Sequence, residues 1–197
     1  MLHKHIFSVL AVLLICYTMP LHAQNSQVRP FIHGGYQGST ISGAMSLHSG
    51  FRVGAGLDVL MGATDQVTFG FLPSVNFATK GAKVSVSGGE SISTTTLDLY
   101  YIDTPLLLDA FFKVNPDMGF HLNAGPYAGF LVKGEKDPDN TGLNFQNFDY
   151  GLQVGGGMEY SGVMLMAGLQ WGLQKITKIE GDNSKNRSFF ITVGYKF

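Results

Sequence analysis

Apolar and polar positions alternate with a period of two through most of the chain, the spacing of strands that turn one face to an apolar medium. The last segment is the plainest: Phe189, Ile191, Val193, Tyr195 and Phe197 share one face, and Ser188, Phe190, Thr192, Gly194 and Lys196 share the other. Helical spacing would scatter both sets. Upstream, Val163, Leu165, Ala167, Leu169, Trp171 and Leu173 oppose Met164, Met166, Gly168, Gln170, Gly172 and Gln174. In residues 148–160, Phe148, Tyr150, Leu152, Val154 and Met158 oppose Asp149, Gly151, Gln153, Gly155, Gly157 and Glu159. Phe120, Leu122, Ala124, Ala128, Phe130 and Val132 alternate with His121, Asn123, Gly125, Tyr127 and Gly129. Phe51, Val53, Ala55, Leu57 and Val59 alternate with Arg52, Gly54, Gly56 and Asp58.

Three further segments complete the pattern. Residues 97–113 place Tyr100, Ile102, Leu106, Leu108, Ala110 and Phe112 on one face and Asp103, Asp109 and Lys113 on the other. Pro105 falls inside this strand, where its missing N–H predicts a bulge or local break. Residues 66–78 set Val67, Phe69, Phe71, Val75 and Phe77 against Thr68, Gly70, Ser74 and Asn76, and residues 30–41 supply the remaining strand. The prediction is an all-β chain, an eight-stranded antiparallel up-and-down barrel. Its connections alternate between tight turns at 62–65, 115–117 and 161–162 and long polar loops at 79–96, 134–146 and 177–186, with a shorter first loop at 42–45. Short periplasmic turns, long extracellular loops and an even strand count are the habit of outer-membrane barrels, so both termini are expected in the periplasm.

Composition decides which face meets which medium. Only 14% of residues are Asp, Glu, Lys or Arg. A water-soluble barrel or sandwich would fill its solvent face with such residues, whereas here that face is mostly glycine, with Gln and Asn. Small and sparse polar side chains suit the narrow lumen of an eight-stranded barrel. The apolar set then faces lipid, and a sheet crossing lipid must close to satisfy its backbone. Phe112, Phe120, Tyr160, Tyr195 and Phe197 gather at the expected periplasmic interface, where aromatic rings settle, and Trp171 lies towards the other end of its strand.

The N-terminus changes the domain boundaries. His3, Lys4 and His5 precede an apolar run at residues 6–17, followed by Pro20 and Ala23, a pattern that predicts a signal peptide over residues 1–23, cut between Ala23 and Gln24, and a barrel domain over 24–197. The single cysteine, Cys16, lies in that run, so the mature chain has no disulfide. A formal net charge of −1 argues against nucleic acid as a partner.

The segments Tyr101-Ile102-Asp103-Thr104-Pro105-Leu106-Leu107-Leu108, Asn123-Ala124-Gly125-Pro126-Tyr127-Ala128-Gly129, Phe148-Asp149-Tyr150-Gly151-Leu152 and Val193-Gly194-Tyr195-Lys196-Phe197 resemble the Bacteroidetes-type, PorT-like outer-membrane β-barrel family over nearly all of the mature chain. The resemblance implies an eight-stranded barrel in the outer membrane of a Gram-negative bacterium and, for a few members, a part in protein secretion. Thr104 departs from the apolar residue usual before that proline.

Chemistry is sparse. Val193, Tyr195 and Phe197 look like the C-terminal signal read by the barrel assembly machinery. Arg52, Asp58, Asp103, Asp109, His121 and Glu159 fall on the lumenal face, where charges need partners, and a pairing of Arg52 with Asp103 is expected. The mature histidines His33, His48 and His121 are scattered and make no metal motif, and Gly155-Gly156-Gly157 lies mid-strand with no following helix, so it is no phosphate loop. Neither a catalytic constellation nor a cofactor is expected. The expected partners are outer-membrane lipid, the assembly machinery and an unidentified extracellular or periplasmic protein met through the loops. The alternative is an outer-membrane lipid hydrolase with His48 as the rim base, or a secretion component.

Overall fold

The computed structural model describes residues 28–41, 47–88, 91–134, 147–175 and 185–197. The expected signal peptide, the 42–45 loop and most of the loops at 134–146 and 177–186 lie outside these residues. Eight strands follow in order: β1 (Val28–Ile41), β2 (His48–Ala63), β3 (Val67–Gly88), β4 (Ser91–Asn115), β5 (Met118–Gly134), β6 (Phe148–Tyr160), β7 (Val163–Lys175) and β8 (Lys185–Lys196). Each pairs antiparallel with its neighbours, and β8 returns to β1 to close the barrel. The closing seam runs from Phe31↔Lys196 to Ile41↔Asn186. Beyond it, Phe197 N–H donates to the Pro30 carbonyl at 2.9 Å.

Local chemistry sets the three tight turns at the end that carries both strand termini. Ser161 and Gly162 have φ of 48° and 83°, the left-handed pair that suits a two-residue hairpin, and glycine carries the second at no steric cost. Asn115 Oδ1 accepts from the Asp117 N–H at 3.0 Å, and Thr64 Oγ1 accepts from the Val67 N–H at 3.1 Å. In both, a short polar side chain stands in for a backbone acceptor.

The pleat is oriented as the alternation requires. Leu108 and Leu122 are 63% and 61% exposed on the outer wall, whereas Arg52 and Asp103 are 2% and 0% exposed inside. At the long-connection end each strand gives one or more rings to the outer wall: Tyr36, Phe51, Phe77, Tyr100, Phe130, Phe148, Tyr150, Trp171 and Phe189. Phe69, Phe112, Phe120, Tyr160, Tyr195 and Phe197 mark the turn end. Aliphatic residues such as Val53, Leu106, Leu152 and Ile191 fill the band between, giving the two aromatic girdles of a membrane barrel.

Several expectations are corrected. Residues 79–96 are not a loop: β3 and β4 continue as a paired hairpin to Gly88↔Ser91. Strand β8 starts at Lys185, inside the expected 177–186 loop. Pro105 makes no bulge, since the register is unchanged across it, but the local break is present: residues 104 and 105 have no partner on β3 and residues 106 and 107 none on β5. The irregularities of that ladder lie at Tyr100/Tyr101 and Lys113/Asn115 instead. Lys113 keeps the inward phase of Asp109 and Phe111, but at the strand end it is exposed.

A charge placed mid-wall should be far costlier than one beyond the girdle. Leu106→Arg is expected to cost about 2–4 kcal/mol and Val132→Arg at most about 1 kcal/mol, read from urea unfolding in phospholipid vesicles.

Candidate functional site

The lumen is filled by two polar layers separated by apolar side chains. The layer nearer the long connections draws a side chain from every strand. Lys80 on β3 donates to Asp103 Oδ1 on β4 at 2.9 Å and lies 3.9 Å from Asp149 on β6. Arg52 on β2 lies 3.6 Å from Asp103 Oδ2 and reaches Gln37 on β1 and Gln153 on β6, each at 3.4 Å. Gln170 on β7 donates to Gln153 at 2.9 Å and to Asp103 at 3.4 Å. Asp149 accepts from Tyr127 Oη on β5 at 3.1 Å and from Asn186 Nδ2 on β8 at 3.0 Å. Two cations thus face two carboxylates, with neutral amides and a phenol completing the shell. Such multiple hydrogen bonding offsets the cost of removing ions from water. Aromatic faces add to it: the Lys80 ammonium lies 4.8 Å from the Tyr127 ring centre and the Arg52 guanidinium 4.6 Å from that of Phe190.

The second layer closes the turn end. His121 sits between Asp109 at 2.7 Å and Glu159 at 2.9 Å, one ring nitrogen toward each. Lys196 donates to Glu159 at 2.6 Å and to Asp58 at 2.7 Å, and Arg29 donates to Asp58 at 3.0 Å. Two cations, Lys196 and Arg29, and the His121 imidazole thus meet three carboxylates along one chain of contacts.

Between the layers Phe31, Leu72, Leu107 and Met164 pack together, with Met166 against them. A cavity of about 60 Å³ remains beside them, lined in part by His33, Arg52, Asn76 and Asn123, enough for a few waters. His33 Nε2 meets Asn76 Oδ1 at 2.7 Å, reaching from β1 to β3 across β2. Gly54 on the intervening strand permits this, since a Cβ there would collide with the Asn76 side chain.

All six residues expected on the lumenal face are buried and divide between the layers: Arg52 and Asp103 in one; Asp58, Asp109, His121 and Glu159 in the other. Arg52 does meet Asp103, but Lys80 holds the shorter contact. Lys80, Arg29, Lys196 and Asp149 were not anticipated as members of the network. Lys80 continues the inward phase of Ser74, Asn76 and Ala78, a signal hidden by treating residue 79 onward as a loop. Val193, Tyr195 and Phe197 lie on the outer wall, the last two rings edge-on at 5.2 Å. His48 is buried at the mouth with Nε2 3.1 Å from Asp98 Oδ1, while the adjacent Ser49 Oγ hydrogen-bonds Tyr36 Oη at 2.9 Å.

The profile of the outer membrane protein β-barrel domain family matches residues 22–178. No curated protein matches the chain. Among solved structures, the outer membrane enzyme PagL is similar at 9% identity and a TM-score of 0.53, covering 84% of this chain and 98% of its own. Neisserial surface protein A follows at 17% identity and 0.49, covering 88% and 100%. Ail of Yersinia pestis stands at 13% and 0.42, covering 86% and 97%. At these identities the likeness concerns the fold.

Asp103 accepts from Lys80 and Gln170 and pairs in charge with Arg52, so its loss strands two buried cations. Asp103→Ala should cost about 3–5 kcal/mol in urea unfolding. Arg52→Met should cost less, because Lys80 and Gln170 still hold the carboxylate.

Proposed function

From the premise that this chain belongs to the outer membrane protein β-barrel domain family, we propose that it is a sealed outer-membrane barrel acting by interaction at its long-connection rim. The observation that carries this reading is the polar layer to which all eight strands contribute, around Arg52, Lys80, Asp103 and Asp149. A lumen crossed by mutually paired charges leaves no continuous water path for solutes. What remains free to act is the wall, spent on lipid, and the rim, where the β3–β4 hairpin runs on past the other strands to Gly88↔Ser91.

The rim faces outward and the turns and both termini face the periplasm, in keeping with the short turns. Residues 1–23 are a cleaved export signal, and the chain is of the PorT-like, Bacteroidetes type suggested by its Pro105 and Pro126 segments. Val193, Tyr195 and Phe197 form the strand that the barrel assembly machinery reads.

Two measurements test this. In planar bilayers the purified barrel is expected to give no stable single-channel current; substantial, stable openings would contradict the sealed lumen. Deletion of Phe197 is expected to lower the membrane-inserted, heat-modifiable fraction in cells. Unchanged insertion would remove the assembly role.

A further inference from the structure

The β2–β3 ladder ends at Arg52↔Ala78, and above that level β2 continues to His48 paired only with β1. A cleft of about 400 Å³ opens there, bounded by His48, Ser49 and Phe51 of β2, Thr79 of β3, and Asp98 and Tyr100 of β4. Its chemistry is asymmetric. Phe51 and Tyr100 give it an aromatic side, and Phe77, outside the lining, links them on the outer wall, 5.8 Å from Phe51 with a tilt of 43° and 5.9 Å from Tyr100 at 18°. The opposite side carries hydroxyl, imidazole and carboxylate groups. Two of its polar atoms are buried without a hydrogen bond: Thr79 Oγ1, and His48 Nε2, which lies 3.1 Å from Asp98 Oδ1 but is not aligned to bond it. Thr79 and His48 are each 5% exposed. Buried polar atoms left unpaired in a folded protein call for a partner.

We propose that this cleft binds a neutral saccharide unit. A pyranose presents an apolar C–H face, which an aromatic platform accepts, and a rim of hydroxyls that both donate and accept. Those hydroxyls match Thr79 Oγ1, His48 and the Asp98 carboxylate. A phosphate or sulfate group does not fit the described lining, which holds a carboxylate and, among the described residues, no Lys or Arg. A quaternary ammonium group is the rival that a carboxylate beside aromatic rings would also suit. It is best held when rings surround it, whereas among the described residues only Phe51 and Tyr100 bring aromatic faces to the lining. The girdle level of the cleft suits a sugar carried by a membrane glycolipid as well as a free one. The inference shares with the proposed function only its use of the long-connection rim, and a sealed lumen neither requires nor excludes it.

The test uses the full mature barrel in octyl tetraoxyethylene micelles, which bring neither sugar nor amine. Saturation-transfer NMR with D-galactose, D-mannose and N-acetyl-D-glucosamine is expected to show binding of at least one. The apparent Kd should rise tenfold or more in Thr79→Val and in Asp98→Asn, with both variants checked for heat-modifiable migration. A second arm compares nanodiscs containing a neutral glycosyl diacylglycerol with nanodiscs of diacylglycerol alone. Binding in that arm only points to a membrane-borne sugar, and binding in both to either source. Absence of binding in both arms, binding indifferent to both substitutions, or choline or inorganic phosphate displacing the sugar from the same residues would overturn the proposal. Conductance is read separately, so a failure here is distinguishable from a failure of the sealed-barrel reading.

Discussion

Hydrocarbon offers no hydrogen-bond partner to a peptide group, and a sheet within it must supply every partner itself. Closure of β8 on β1 meets that demand, and the other features are consequences of it. A closed eight-stranded wall has a narrow interior, and alternation along each strand sends half of the side chains there. Glycine is therefore frequent on the inward face. At Gly54 the lack of a side chain allows His33 to reach Asn76 two strands away.

The interior is polar because the wall is apolar. A lumen too small for bulk water but lined by Arg52, Lys80, Asp103 and Asp149 is stable only if each charge finds protein partners, and the eight strands provide them around one level. The layer at His121 and Lys196 does the same where the strands terminate. Breaking either layer exposes charges in a low-dielectric space, so the arrangement ties stability to closure of the pore. Function is thereby displaced to the rim, where the β2–β3 ladder ends and the β3–β4 hairpin continues.

Much of this architecture was legible in the sequence because period two survives wherever one face meets lipid. The alternation around Leu106, Leu122, Leu152 and Ile191 gave strand number, face and order directly. It failed where the medium changes. Beyond Thr79 the hairpin leaves the hydrocarbon, so Ser, Thr and Gly replace the apolar set and a paired extension reads as a loop. Lys80 was lost with it, although it keeps the inward phase of Asn76 and Ala78. Pro105 was legible in part: its missing donor interrupts the pairing with both neighbours, as a local break, while the strand keeps its register. Beyond the pairing of Arg52 with Asp103, which cation meets which carboxylate was not legible, since it depends on stagger between strands far apart in the chain, as between Asp58 and Lys196.

The orientation of the pleat carries everything else, and magic-angle-spinning NMR in phospholipid bilayers tests it directly by proton transfer from lipid acyl chains to assigned residues. Transfer to Leu106, Leu108 and Leu122, with none to Arg52, Asp103 and Gln170, is the result this orientation requires. Acyl contact at the second set, or its absence at the first, would contradict it.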